Sequence, residues 1–420
     1  MIETYGPVLI ALALLFGLFM TWGIGANDVA NAMGPAVGSG AITMTVALVI
    51  AGVFELAGAI IAGGEVTSTV RSNIVSVDAF ASEPGQLALG MLAALLSAGI
   101  WLLVASAYGW PISTTHSIVG SIIGFALVAA GASAVNWTKV AEIAASWIIS
   151  PLLGGVIALL LQLSIRQLIL KNPQPVAAAR LWGPFYVFLV GFIVSLITLF
   201  KGLRHLNLDL SVTASFSWAL AIGMVTAVAG WALIHRVRVS DTDSHDVNIA
   251  RVERIFTPMM IFTACAMAFA HGSNDVANGV GPLAAVVAIV RSGGEVTSSS
   301  GLPVWILVLG GVGIVVGLWT YGRRVMETIG ENITPLTPNR GFCVTLAASA
   351  TVVLASRTGL PVSTTHIAVG SVVGVGLARA LDEVNLRLFL GIVVSWLLTL
   401  PLAGGLAALI YLVLRSIFTV

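Results

Sequence analysis

Apolar residues fill this chain in blocks about as long as a lipid bilayer is thick, and polar residues gather in the short gaps between them. A membrane-spanning helix needs about 20 mostly apolar residues. By that rule the pattern predicts helices near 7–24, 42–62, 87–108, 115–131, 140–168, 182–200, 212–235, 256–270, 303–322, 342–357, 366–381 and 388–415. The fold class that follows is an all-α polytopic membrane protein of about twelve transmembrane segments. The clearly polar stretch is 236–255, which sets Arg236, Arg238, Arg251 and Arg254 beside Asp241, Asp243, Asp246 and Glu253. It reads as a loop. Lys and Arg concentrate in cytoplasmic loops. The 166–180 and 236–255 loops hold three and four basic residues against two in 201–211, which places their shared face in the cytoplasm.

Composition removes the soluble alternative. Of 420 residues, 58% are hydrophobic and 9% charged, whereas soluble domains carry about a quarter of their residues as charges. The lipid bilayer is therefore a partner, and the expected location is multi-pass in the cell (inner) membrane. A net charge of +1 with no basic stripe excludes nucleic acid. Cys265 and Cys343 lie in apolar runs with no second Cys or His at metal-ligand spacing, and read as buried thiols. The opening MIETYG lacks the positive charge of a signal peptide, so the first apolar block reads as a retained helix.

The chain repeats itself. GANDVANA at 25–32 returns as GSNDVANG at 272–279, with Asp28 and Asp275 247 positions apart. PISTTHSIVGSIIG at 111–124 returns as PVSTTHIAVGSVVG at 361–374, 250 positions on. Between them Gly52, Gly58 and Asn73 match Gly311, Gly317 and Asn332 at an offset of 259, the surplus falling in the polar stretch 291–303. The expected organisation is a first repeat at 1–135, connecting helices and the polar loop at 136–255, a second repeat at 256–385 and a C-terminal helix at 386–420. Seven predicted segments precede the second repeat. An odd number inserts it upside down, the inverted-repeat plan of transporters whose site lies at the repeat interface near the midplane.

PxSTTH reads as the start of a helix after a non-helical stretch, because Pro suits the first turn and Ser and Thr cap it. A helix N-terminus offers free N–H groups and about half a positive charge, and so binds anions. Two such tips facing one another would enclose one small oxyanion, although a lone copy reads equally well as ordinary capping. The Asn-Asp pairs need a different ligand. A carboxylate at membrane depth costs at least about 2.5–3.5 kcal/mol and marks function by default, yet Asp28 and Asp275 would repel an anion. They call for a cation bound through carboxylate, amide and hydroxyl oxygens, or for a proton; a structural N-cap role is the plainer reading. Glu55 lies deep in VFELAG opposite Ile314 in the second repeat, and would coordinate a cation or pair with Arg71. His116 and His366 either titrate or pack. Arg71 and Arg357 either reach the anion or snorkel to the interface. The residues point to cation-coupled anion transport.

At these motifs the chain resembles the inorganic phosphate transporter family, over nearly its whole length. The resemblance implies two inverted repeats with broken or re-entrant helices, phosphate as substrate, and a sodium or proton gradient as driving force. Carried over position by position, it implies phosphate contacts from Ser113, Thr114, Thr115, Ser363, Thr364 and Thr365, with Asn27 and Asn274 nearby. Sodium would be framed by Asp28, Asp275, Asn27 and Asn274, with Glu55 as a further candidate. The proton-coupled bacterial branch carries His where this chain has Asn27, so the likeness is to the sodium-coupled branch. The expectation is a sodium-driven phosphate symporter; the alternative is a proton-coupled phosphate or sulfate permease. Neither other class fits. A channel needs a continuous polar pore, and a hydrolase would have to use Ser113–His116 or Ser363–His366, neither with an evident orienting acid. No enzyme activity and no cofactor are expected, sodium being a co-transported ion, and the many small residues would permit a homodimer.

Overall fold

A computed structural model describes residues 1–199, 210–236, 244–295, 302–327, 333–356, 361–380 and 384–418. Its two longest helices are α1 (Ile2–Gly38) and α9 (His245–Arg291), and both run unbroken through the Asn-Asp motifs. This corrects the short segments expected at 7–24 and 256–270, and removes N-capping as the role of Asp28 and Asp275. Hydropathy falls at NDVAN, but helix formation does not require apolar side chains. Asn and Asp disfavour helix interiors mainly by bonding their own backbone, and here their side chains bond other helices and the non-helical Val362 instead. Part of the polar stretch 236–255 is likewise helical. Ser244 accepts a bond from Val247 N–H and Asp246 sits in the first turn, so α9 starts well before its apolar block.

Helices α2 (Met44–Ala62), α3 (Gly64–Ser72), α4 (Pro84–Ala107), α5 (Thr114–Ala130) and α6 (Trp137–Ile165) complete a first set. Helices α10 (Val304–Tyr321), α11 (Arg323–Glu327), α12 (Pro338–Ser356), α13 (Thr364–Leu377) and α14 (Leu386–Ile417) mirror them after α9. Helices α7 (Pro175–Ile197) and α8 (Val212–Ile234) connect the sets. Among the described residues nine helices are long and apolar enough to cross a membrane; α5 and α13 are shorter.

The pairs α4–α5 and α12–α13 are re-entrant hairpins. Val75 bridges Val135, Ser76 N–H donates to Ala134 O at 2.8 Å, and Asn136 N–H donates to Ile74 O at 3.0 Å. These bonds tie the chain before α4 to the chain after α5, so the hairpin leaves and returns at one face. In the second set Asn385 N–H donates to Ile333 O at 3.0 Å, the same closure. With both hairpins returning, α1, α2, α6, α7 and α8 are the crossings before α9. The count stays odd, and the second set is inverted.

The two sets exchange partners. Helix α5 packs on α14, α13 on α6, α1 on α10, and α2 on α9. The last two seams are backbone against backbone. A Cβ on Gly25 would lie 1.9 Å from Ile314 O and one on Gly317 1.9 Å from Trp22 O, while Gly272 and Gly58 face Glu55 O and Phe269 O at 2.2 and 2.1 Å. Only glycine permits that approach. The correspondence continues past residues 135 and 385: Asn136 and Asn385, 249 positions apart, cap α6 and α14 through their side chains. Exposed Leu, Val, Ile and Trp side chains along α6, α8 and α14 form the lipid-facing surface.

Candidate functional site

The two hairpin tips meet head to head. Ser113 and Ser363 cap α5 and α13, their side-chain oxygens accepting from His116 N–H at 3.1 Å and His366 N–H at 3.2 Å. Across the interface Thr115 Oγ1 donates to Val362 O at 3.2 Å and Thr365 Oγ1 to Ile112 O at 3.1 Å. All six Ser and Thr side chains are buried. Two helix N-termini, and thus two partial positive charges, converge on one enclosed space.

The motifs of α1 and α9 form its wall. Asp28 accepts from Thr114 Oγ1 at 2.7 Å and Thr365 Oγ1 at 3.1 Å, and Asp275 from Thr364 Oγ1 at 2.6 Å. Three of the four tip threonines thus hold a carboxylate, Thr115 being the exception, and hydrogen bonds to charged groups contribute about 1.5–3 kcal/mol each. Asn31 Nδ2 reaches Thr365 Oγ1 at 3.0 Å, and Asn278 Nδ2 reaches Thr114 and Thr115 Oγ1 at 3.3 Å. Every one of these contacts has its counterpart in the other repeat or crosses to it.

The four asparagines divide the labour. Asn27 is engaged at both ends by the non-helical strap before α5, donating to Trp110 O at 2.9 Å and accepting from Ile112 N–H at 3.2 Å, and it also donates to Ser106 Oγ on α4 at 3.1 Å. Asn274 donates to Val362 O at 3.0 Å and to Asp275 Oδ1 at 2.9 Å. Sequence reasoning selected these two and passed over Asn31 and Asn278, one helical turn further on, although both stand in the quoted motifs. The Oδ1 atoms of Asn31, Asn274 and Asn278 are buried and accept no hydrogen bond.

His271 was also missed, and it lies at the centre of the acids. Its Nε2 is 2.9 Å from Asp275 Oδ2 and 3.8 Å from Asp28 Oδ2, and its Nδ1 is 3.2 Å from Glu55 Oε1. His271, Asp28, Asp275 and Glu55 have no solvent exposure at all. The duplication could have found this residue. Position 271 matches Ile24, and Glu55 matches Ile314, at the offsets already noted. An ionisable pair occupies one repeat interface where its image holds two isoleucines, so each asymmetry explains the other. Glu55 meets His271; the Arg71 side chain, its other expected partner, lies outside the described residues, as does Arg357.

His116 and His366 lie just beneath the tips, their rings 4.4 Å apart. Each packs on a tryptophan, His116 on Trp147 at 3.7 Å and His366 on Trp396 at 3.6 Å. Each also bonds the other tryptophan's carbonyl through Nδ1, at 3.3 and 3.2 Å. The Trp147 carbonyl is the one that Pro151 leaves without its helical donor. Packing is the duty these histidines perform here.

Comparison with known proteins agrees with this geometry. A family model described as the phosphate transporter family matches residues 24–407. A Haemophilus influenzae protein provisionally named a phosphate permease is 45% identical over 420 residues, covering 99% of both chains. The chloroplastic inorganic phosphate transporter 2-1 of Arabidopsis thaliana is 41% identical, covering 94% of this chain and 70% of its own. A solved structure of a sodium-dependent phosphate transporter is 40% identical and superposes with a TM-score of 0.88, over 98% of this chain and all of the other. The paired hairpins, the buried acids and these likenesses converge: the chain belongs to the phosphate transporter family, whose members are transport proteins and not enzymes.

Proposed function

We propose that this protein imports inorganic phosphate across the cell membrane by symport with sodium. The observation that carries the reading is a mismatch. Carboxylates of Asp28 and Asp275, with three donor-less amide oxygens, share one buried space with two helix N-termini and their hydroxyls. The oxygens suit a hard cation and the tips suit an anion; neither ligand satisfies the space alone. In this reading Thr114, Thr364 and Thr365 turn their hydroxyls from the carboxylates to phosphate, and Thr115 turns its own from the Val362 carbonyl, assisted by Ser113, Ser363, Asn31 and Asn278. Sodium takes the vacated carboxylates with the amide oxygens of Asn274 and its neighbours, and Glu55 adds a further carboxylate nearby. Asn27 is a positioning residue that shapes the strap. Hydrogen phosphate carries an O–H that needs an acceptor, which these carboxylates provide, and this favours it over sulfate.

The experiment is uptake of radiolabelled phosphate into proteoliposomes at fixed pH. Replacing sodium by choline should collapse uptake. The competing reading, proton coupling, draws on His271 between three carboxylates; uptake that ignores sodium and follows an imposed proton gradient would establish it instead. A second test addresses the tips. Thr114→Val or Thr364→Val keeps the shape but removes a donor, so either should weaken phosphate affinity about tenfold or more. An effect confined to one repeat would rule out a site shared between the tips.

A further inference from the structure

A second cluster of charge lies far from the tips. A polar cavity of about 380 Å³ opens among the last turns of α6, the first turns of α9, the start of α12 and the end of α13. Arg166, Lys171, Arg340 and Arg379 line it, against the acid Glu253. Glu253 is already engaged, accepting from Asn339 N–H at 2.9 Å and from the Asn339 side chain, so its charge closes the N-terminus of α12. The cavity is on the face of the 166–180 loop, which the Lys and Arg bias assigns to the cytoplasm. Helix α13 has 14 residues, which at 1.5 Å each puts the cavity about 20 Å from Thr364.

The duplication provides an internal control. Arg166 has a counterpart, Arg415, 249 positions on, and its guanidinium donates to Ala378 O at 2.8 Å, closing the end of α13. The other cations have no such counterpart, and Arg340 likewise donates to a backbone carbonyl, Pro335 O, at 2.6 Å. Arg340 corresponds to Gln86 through Pro338 and Pro84, which open α12 and α4; Arg379 falls at Ala129 and Lys171 at Val420. One end of the molecule thus folds without these three charges, and the other has them converging on one concave space. Asp382 and Glu383, which follow Arg379 in the chain, lie outside the described residues. Topology alone calls for Lys and Arg on this face, but not for their convergence. A second feature points inward as well: Gln162 lines the cavity, is 5% exposed, and has an Oε1 with no donor.

We propose that this cavity is a second anion site, which takes a phosphate group carrying or adjoining a hydroxyl. The guanidinium groups match phosphate oxygens in geometry, and the hydroxyl answers Gln162. Two sources share that chemistry: hydrogen phosphate on the cytoplasmic side, and the headgroup of phosphatidylglycerol in the adjoining leaflet, basic pockets between membrane helices being sites for such headgroups.

The test uses the purified full chain in phosphatidylcholine nanodiscs, titrated with radiolabelled phosphate at saturating sodium. One arm expects a second class of binding that persists in Thr114→Val with Thr364→Val and weakens tenfold or more in Arg340→Gln with Arg379→Gln. The other arm offers phosphatidylglycerol and counts retained lipid by native mass spectrometry, expecting retention by the wild type and loss in the arginine variant. Either result supports the site and names its source. Lys171→Gln alters an exposed side chain and should move the same reading in the same direction, less far and with unchanged thermal stability, so that misfolding is not mistaken for lost binding. If the wild type takes up phosphate normally yet neither binds a second phosphate nor retains the lipid, the proposal is overturned and the cations serve orientation alone. Failure of the central site would look different, as threonine variants that bind phosphate normally.

Discussion

Phosphate uptake by Asp28→Asn and by Asp275→Asn should fall about a hundredfold or more. Each aspartate sits at zero exposure, bonded to tip threonines and within reach of His271, and removing one partner of a buried charged set costs about 3–5 kcal/mol. The route of the loss distinguishes the possible roles. An aspartate that faces sodium lowers sodium affinity when neutralised, and phosphate affinity at fixed sodium falls with it, because linkage is reciprocal. An aspartate that carries a proton is mimicked by Asn in its protonated form, so phosphate binds as well as before while transport stalls. A purely structural aspartate yields poorly folded protein and no selective change. Equilibrium phosphate binding titrated against sodium at two pH values separates the three. Tight, sodium-independent binding by both variants would remove these residues from the cation site.

The second large effect concerns the pair that breaks the symmetry. His271→Ile alone removes the imidazole that lies between Glu55, Asp28 and Asp275 and leaves the three acids buried together, and should cost several kcal/mol of stability. Glu55→Ile with His271→Ile copies the isoleucines that occupy the equivalent places, Ile24 and Ile314, both fully buried. That double variant should recover thermal stability relative to His271→Ile, because a buried ionic set replaced as a whole by well-packed apolar groups is tolerated. Sodium-driven uptake should nevertheless stay at least tenfold below wild type. Wild-type uptake by the double variant would reduce the pair to packing.

Much of this site was readable in the residues, and its gaps have physical causes. The repeat, the capped STT tips and the buried aspartates follow from local chemistry and spacing, which sequence carries directly. The continuity of α1 and α9 does not, because a hydropathy window ends at the first Asn-Asp whether or not the backbone does. Asn31 and Asn278 were overlooked since four asparagines in two motifs look alike until their partners on α4, α5 and α13 are known. His271 is a single histidine beside an apolar block, and alone it means little. Its importance lies in Glu55, more than two hundred positions earlier. Only the paired departures from symmetry, Ile24 to His271 and Ile314 to Glu55, link them in the sequence.

The exchange of partners between the two sets also governs when the nascent protein becomes stable. The tip at Ser113–Thr115 is supported by Val362, by Trp396 and by α14 as a whole. Trp396 is translated about 280 residues after His116, which at roughly 5–20 residues per second is an interval of tens of seconds. Throughout it the first hairpin sits in the membrane with the Thr115 hydroxyl and the His116 imidazole awaiting Val362 and Trp396, while Asp28 of α1 has its bond from Thr114 but not yet the one from Thr365. Backbone and polar groups in lipid must be satisfied or hydrated, so water or an insertion factor has to shelter the hairpin until translation ends. A message truncated before Leu386 encodes the first hairpin in full, yet its product lacks the helix that seals it, and the cell's membrane quality control should treat it as unfolded.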